Sequence, residues 1–256
     1  MNNSKIWGRI QGKYQRTLND IFFRRPLNMH NNSPYISFTF DDFPRSALHT
    51  GGNILLKYGV QGTYYASLGL MGSVTPTGEI FVLNDIKDLL SQGHELGCHT
   101  FSHCNSFTTA TTEFINSILH NKTRLDELIP GATFQTFSYP IEGPRILTKR
   151  KIGKYFECCR FGGQTINSGV IDLNFLKAFF LEKTRDAPNI VKGLIDRCCR
   201  AHGWLIFATH DIAKSPSRFG CVPSFFEDIV KYSKDSGAII LPVSRALDQI
   251  RRQALN

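Results

Sequence analysis

From residue 35 onward, short apolar runs alternate with longer stretches of helical period, and this rhythm restricts the fold more than any other feature of the chain. Strands are predicted over 35–40, 62–67, 95–98, 134–139, 155–159, 204–209 and 238–241. Helices are predicted over 46–58, from beyond Thr77 to Leu90, and over 111–128, 145–151, 189–202, 223–234 and 244–253. The clearest helix is 111–128, where Phe114, Ile118, Leu125 and Leu128 fall on one face. Gly59, Gly93 and Pro130-Gly131 sit where helices should stop. Most of the strands are largely apolar, as strands covered on both faces are. Seven or so such units without a break in composition predict an α/β fold: a closed or nearly closed barrel of parallel strands with outer helices. Residues 162–169 read as a loop, and 173–181 is amphipathic without a clear period.

A chain of 256 residues suits one large domain. With 41% hydrophobic and 20% charged residues it has enough apolar material for a core, which excludes a disordered chain. The net charge is +9, and about half of it precedes the first strand: Lys5, Arg9, Lys13, Arg16, Arg24 and Arg25 face only Asp20. Residues 1–33 are therefore expected to be a basic extension, and 34–256 a single barrel domain. A short helix over about 11–22 would pack Leu18, Ile21 and Phe22 on the body, with peripheral membrane contact as the alternative. The seven cysteines include the adjacent pairs Cys158-Cys159 and Cys198-Cys199 and form no C-x-x-C, so reduced thiols and a cytoplasmic location are expected. No secretory h-region and no apolar run near the ~20 residues of a membrane span is visible. No G-x-G-x-x-G follows the first strand and no Walker A lysine loop occurs, so nucleotide sites of those kinds have no support. Nucleic acid, suggested by charge alone, is not an expected partner.

Chemistry concentrates where strands end. The run 36–40 finishes in two adjacent carboxylates, Asp41 and Asp42, at the start of a βα loop. One can hold a cation while the other stays free as a base; the bland alternative is that they cap the next helix. His99 and His103, four apart, share a face if that segment turns helical, and two imidazoles with a carboxylate oxygen leave room for water on a catalytic ion. Such N/O ligation suits Zn²⁺ and accepts Co²⁺, Mn²⁺, Fe²⁺ or Ni²⁺. Cys98 and Cys104 flank the pair, but strand alternation should turn Cys98 away from His99. His210 ends the apolar run 204–209 and is suited to proton donation. His94 and His202 look structural; of the others, only His49 lies near enough to the carboxylates to reach a substrate.

Taken in order, Phe38-Thr-Phe-Asp41-Asp42, Gly62-Thr-Tyr-Tyr and Gly93-His-Glu-Leu-Gly-Cys-His99-Thr-Phe-Ser-His103 resemble the polysaccharide deacetylase (NodB homology) family, carbohydrate esterase family 4. The resemblance runs from about residue 35 through Leu241. It implies a distorted (β/α) barrel of seven or eight strands that removes N- or O-acetyl groups from sugars. It implies Asp41 as base, Asp42, His99 and His103 as ligands of one divalent ion, and His210 as the group that protonates the leaving atom. The oxyanion donor would be the N–H of Tyr139 or Ile141, since Pro140 has none; the likeness favours Ile141.

Two departures stand out. Phe137-Ser138-Tyr139-Pro140 lacks the arginine that many members carry beside this proline, and Arg160 or Arg145 would have to supply that charge or meet the substrate. The usual Asp-Trp pair behind the catalytic histidine has no counterpart beyond Asp172 or Asp211. The expected substrate is an acetylated amino sugar: a short oligosaccharide, or a lipid-linked or nucleotide-linked sugar, with the basic 145–154 segment compatible with phosphate. The alternatives are an allantoinase-like hydrolase of cyclic amides or imides, and a catalytically inactive carbohydrate-binding barrel.

Overall fold

The computed structural model describes residues 17–185 and 187–254. In chain order the strands are β1 (Pro26–Asn28), β2 (Tyr35–Phe40), β3 (Thr63–Ala66), β4 (Val74–Thr75), β5 (Gly78–Glu79), β6 (Glu95–Cys98), β7 (Thr136–Ser138), β8 (Cys158–Gly162), β9 (Val170–Asp172), β10 (Leu176–Phe180), β11 (Trp204–Thr209) and β12 (Ile239–Ile240). The helices are α1 (Asn53–Lys57), α2 (Leu83–Ser91), α3 (Thr111–Leu128), α4 (Ile146–Ile152), α5 (Pro188–Arg200), α6 (Pro223–Asp235) and α7 (Val243–Ala254).

Every residue of β2 is buried, and so is every residue of β11, which pairs with it in parallel along its whole length. Phe38 stacks on Phe207 and Phe40 on Tyr64, so β2 carries the aromatic centre of the core. The ring runs β2, β3, β6, β7, β8, β10, β11 and back to β2: seven parallel strands, closed. Its distortion has a visible origin. β3 pairs with only Thr39 and Phe40, and β12 takes Tyr35 and Ile36 where β3 has pulled away. The seven or eight strands expected are thus seven in the ring and a short eighth set into it.

Four assignments change. β8 lies three residues later than predicted, which puts Arg160 on a strand and not in a loop. Residues 173–181, without a clear period in the sequence, contain β10, with Leu176, Ala178 and Phe179 buried. The hairpin β4–β5 occupies the segment expected to begin a helix, and α2 starts only at Leu83. Where the first helix was predicted, six residues in π-helical turns (Ala47–Gly52) precede α1.

Half of the expected helix over 11–22 lies outside the described residues, as do four of the leading cations; 17–21 are helical. Ile21 and Phe22 do not pack on the body as expected. Both are exposed, and the buried residue of this segment is Asn19, whose amide donates to Pro144 O at 2.9 Å. The arm is held instead by polar contacts. β1 pairs antiparallel with β9, and the Arg25 guanidinium donates to the carbonyls of Gly153, Phe156 and Glu157.

Candidate metal centre

The parallel register β2–β11 brings two of the expected groups level. Phe40 pairs with Thr209 and Asp41 N–H donates to Thr209 O, so Asp41 and His210 leave the barrel side by side. β6 ends two strands away at Cys98, and His99 N–H continues its pairing to Ala66 O. The expected helical turn from His99 to His103 does not form. Left-handed residues at Thr100 (φ 64°) and His103 (φ 52°) fold this stretch into a tight loop that sets the imidazole centroids 5.0 Å apart. Asp42 and Phe43 are also left-handed, as is Ile141. Five of the eight non-glycine residues with positive φ among those described therefore cluster at one mouth, where such strain is retained when it aims functional groups.

Asp42, His99 and His103 each point a ligand atom into this cluster, all within 4.8 Å of one another. Asp42 Oδ1 lies 3.0 Å from His103 Nε2 and 3.6 Å from His99 Nε2. It is nonetheless a buried oxygen with no well-directed hydrogen bond among the described residues. His99 Nδ1 lies 2.8 Å from Ser138 O; a carbonyl only accepts, so Nδ1 carries the proton and Nε2 presents a lone pair. Two imidazole nitrogens and one carboxylate oxygen around an uncommitted buried point fit a divalent ion such as Zn²⁺ with positions left open. Cys98 is turned away as alternation requires, its sulfur accepting from Asn121 at 3.3 Å.

Electrostatics separates the two carboxylates. Burial alone would raise both. Both are instead lowered. For Asp41 burial is opposed by Arg160 first, then by His99 and His210. For Asp42 it is opposed by the hydrogen bond and charge of His103, then by His210 and His99. Burial pushes His99 down to about 4, while Asp42 outweighs burial at His103 and raises it.

Arg160 is fully buried on β8, its guanidinium paired with Asp41 Oδ1 and resting 4.6 Å from the Tyr65 ring centroid. It faces the carboxylate from inside the barrel and so supplies, from β8, the charge expected of Arg160 or Arg145 in place of the arginine missing beside Pro140. Arg145 is elsewhere, donating to the carbonyls of Phe107 and Thr108. Tyr139 has both its donors committed, N–H to Arg160 O and hydroxyl to Asn174 O. The N–H of Ile141 has no partner among the described residues, and its side chain is exposed.

His210 Nδ1 faces Phe219 O at 3.3 Å, and Nε2 looks toward Asp42 Oδ2 at 4.0 Å. Neither expected carboxylate supports it. Asp211 accepts from Ser217 N–H and hydroxyl and so fixes the loop that offers the Phe219 carbonyl. Asp172 pairs with Lys149. A group that the sequence reading missed is Glu182, just beyond β10. Its Oε2 is buried without a hydrogen-bond partner, and burial raises its pKa against the pull of His210. The signal was its place after the apolar run 178–181, hidden because that run had no clear period. His49, thought able to reach a substrate, is engaged with Asp85 at 2.8 Å. An open cleft of about 440 Å³ runs between the β4–β5 hairpin and the loop that follows His210, lined by Arg45, Thr77, Glu79, Asp211 and Ser217 among others. A second, of about 450 Å³, lies away from these groups beside His94, Glu95 and Arg245.

Comparison with known proteins agrees with this fold. Residues 28–149 match the family model described as polysaccharide deacetylase. Among solved structures, the peptidoglycan deacetylase PdaC from Bacillus subtilis superposes with a TM-score of 0.57 at 18% identity, covering 87% of this chain and 93% of its own. A family 4 acetyl xylan esterase from Clostridium thermocellum, solved with cobalt, gives 0.58 at 19%, covering 85% and 92%. A CE4 family pseudoenzyme from Bacillus anthracis gives 0.58 at 14%, covering 86% and 67%. At these identities the likeness establishes the fold. A search of curated proteins finds no match.

Proposed function

We propose that this chain is a member of the polysaccharide deacetylase family, a metal-dependent hydrolase that releases acetate from an acetylated amino sugar. Because the fold is shared with a pseudoenzyme, the fold does not carry the reading. The observation that carries it is the division of labour between neighbours: Asp42 joins His99 and His103 around one point, while Asp41 stands beside them, paired with Arg160.

In this proposal Asp42, His99 and His103 hold one divalent ion, Zn²⁺ being best matched to the donor set. When bound, the ion supplies Lewis acidity toward a carbonyl and toward water. Asp41 is the base. Arg160 occupies its Oδ1 and favours the ionised form, leaving Oδ2, which accepts no hydrogen bond among the described residues, to take a proton from water as it attacks the acetyl carbon. The free N–H of Ile141 donates to the carbonyl oxygen as charge builds there. His210, oriented through Nδ1 by the Phe219 carbonyl, returns a proton from Nε2 to the departing nitrogen or oxygen. The cleft bordered by the loop after His210 has the size of a small-ligand site and takes the sugar.

The test is acetate release from a panel of acetylated amino sugars, free, lipid-linked and nucleotide-linked, against metal-stripped protein. Release that depends on metal supports the reading. Metal-dependent opening of a cyclic imide in place of acetate release would move the activity to the cyclic-amide class, and metal binding with no turnover on any member would make the barrel a binding protein.

A further inference from the structure

We propose that the exposed ridge Ile21-Phe22-Phe23, with Leu147 and the cations around it, docks this molecule on an anionic lipid surface. Ile21 is 61% exposed, Phe22 48%, Phe23 39% and Leu147 58%, a concentration of large apolar side chains that calls for a partner. The outward direction is built in. Lys149, itself buried, donates to the carbonyls of Asn19 and Phe22 and pins the backbone, while Phe23 is left-handed (φ 49°), a conformation rare for an aromatic residue. Arg150 rests its guanidinium 5.2 Å from the Phe23 ring centroid, and Leu147 lies on the same face of α4 one turn earlier. Ridge and helix thus form one continuous surface.

The charge around it is predominantly positive, Glu142 on the loop before Pro144 being an exposed acid without a cation partner among the described residues. Arg24, Arg150, Lys151 and Lys154 are exposed, while the acids Asp20, Asp172 and Glu157 are paired with Lys177, Lys149 and Arg251. The preceding sequence continues the theme. Apolar residues recur at Ile6, Ile10, Tyr14 and Leu18, cations at Lys5, Arg9, Lys13 and Arg16, and no acid occurs before Asp20. Apolar residues at three-to-four spacing among cations are the composition of a segment that lies in a lipid interface, its cations drawn to anionic headgroups. No helix among the described residues is long and apolar enough to cross a membrane, so the contact is at the surface.

The ridge runs along the side of the barrel. Asn19 meets the loop beyond β7 through Pro144 O, while Phe23 and Arg25 meet Asn174, Phe156 and Glu157 at the entries to β10 and β8, the end opposite the metal centre.

The experiment is co-sedimentation of the full, metal-loaded chain with vesicles of phosphatidylcholine plus phosphatidylglycerol, and with phosphatidylcholine alone. We expect retention on the anionic vesicles only, weakening with salt, and falling about tenfold or more in Phe22→Asp/Phe23→Asp and in Arg24→Glu/Arg150→Glu. Both variants should keep the metal ion and the wild-type melting temperature. Wild-type protein that stays in the supernatant, equal retention on neutral vesicles, or an aspartate variant that sediments like wild type each overturn the proposal. So does a self-association, or capture by a single-stranded oligonucleotide, that replaces vesicle binding and is lost in the same variants. Retention is read without turnover, so vesicle binding without acetate release would reject the catalytic reading and leave the docking surface standing.

Discussion

Arg160 and Asp41 form an ion pair closed off from solvent on both sides, and it is this pair that makes the two adjacent carboxylates different. Burial works to protonate Asp41, and the guanidinium overrides it. Replacing Arg160 by Met removes the opposing charge, so the pKa of Asp41 must rise. A base that has to be ionised then loses its active form at higher pH. The acid limb of the kcat/KM profile should move upward, turnover should fall about 10–100-fold, and the metal should stay. Removing one partner of a buried pair also costs about 3–5 kcal/mol, readable by urea denaturation. Arg160→Lys keeps a cation without the planar fork and should fall between. An unmoved acid limb in both variants would remove Arg160 from the mechanism.

Asp41 and Asp42 should part company when each is converted to asparagine. Asp42→Asn takes a charged ligand from a three-donor set, and the protein should then purify with little or none of the one divalent ion per chain expected of wild type. Asp41→Asn should keep that ion and lose about 10²–10⁴-fold in turnover. Metal analysis beside acetate release decides both. Chelation should abolish turnover in wild type, and Zn²⁺ or Co²⁺ should restore it. A full metal complement in Asp42→Asn would strike that residue from the ligand set.

How much of this was legible in the sequence depended on whether neighbours in the chain are neighbours in space. Asp41, Asp42, His99 and His210 stand at or just past the ends of apolar strands, and a parallel barrel gathers strand ends, so their convergence follows from the strand pattern. Their local geometry did not follow. The i, i+4 spacing of His99 and His103 suggested a helical turn, whereas left-handed residues do the work. Arg160 was suspected, but as a loop residue, because the start of β8 was misplaced and its inward direction depends on strand register. Glu182 was hidden by an adjoining run of uncertain period. Ile21 and Phe22 were expected to face inward because a hydrophobic pattern gives spacing and not direction; direction came from Lys149, more than 120 residues away in the chain.

His94, far from the metal centre, should make stability depend on pH. Its Nδ1 accepts the Gly62 N–H at 3.0 Å, so the folded state needs that nitrogen unprotonated. Burial, helped by the Arg245 charge, pushes its pKa down to about 4 from the ordinary 6.5. Between those values the unfolded chain binds a proton that the folded chain refuses, so stability is complete above about pH 6.5 and declines as pH falls toward 4. The full contribution is about 3 kcal/mol. Urea midpoints of wild type and His94→Asn, compared from pH 7 to pH 4, isolate it from other groups. The variant should show the shallower decline, and parallel curves would refute the assignment.

Lys149 should act as the clasp of the arm. It is a buried cation whose pKa burial lowers, held charged by Asp172 at 2.6 Å, and it donates to Phe22 O at 2.8 Å. Lys149→Met fills a similar volume but strands the Asp172 carboxylate and frees the Asn19 and Phe22 carbonyls. Loss of one partner of a buried pair predicts destabilisation by about 3–5 kcal/mol. The damage should begin locally, since the arm is tied to the body mainly by polar contacts. Limited trypsin digestion should cut the variant after Arg24 (the Arg25–Pro26 bond resists trypsin) well before the barrel opens, at a rate at which that bond is intact in wild type. Lys149→Met/Asp172→Asn removes both charges, so it should recover part of the stability without recovering protection of the arm, because the two carbonyls remain without their donor. Equal cleavage of wild type and Lys149→Met would show that the arm is anchored by Arg25 and the β1–β9 pairing alone.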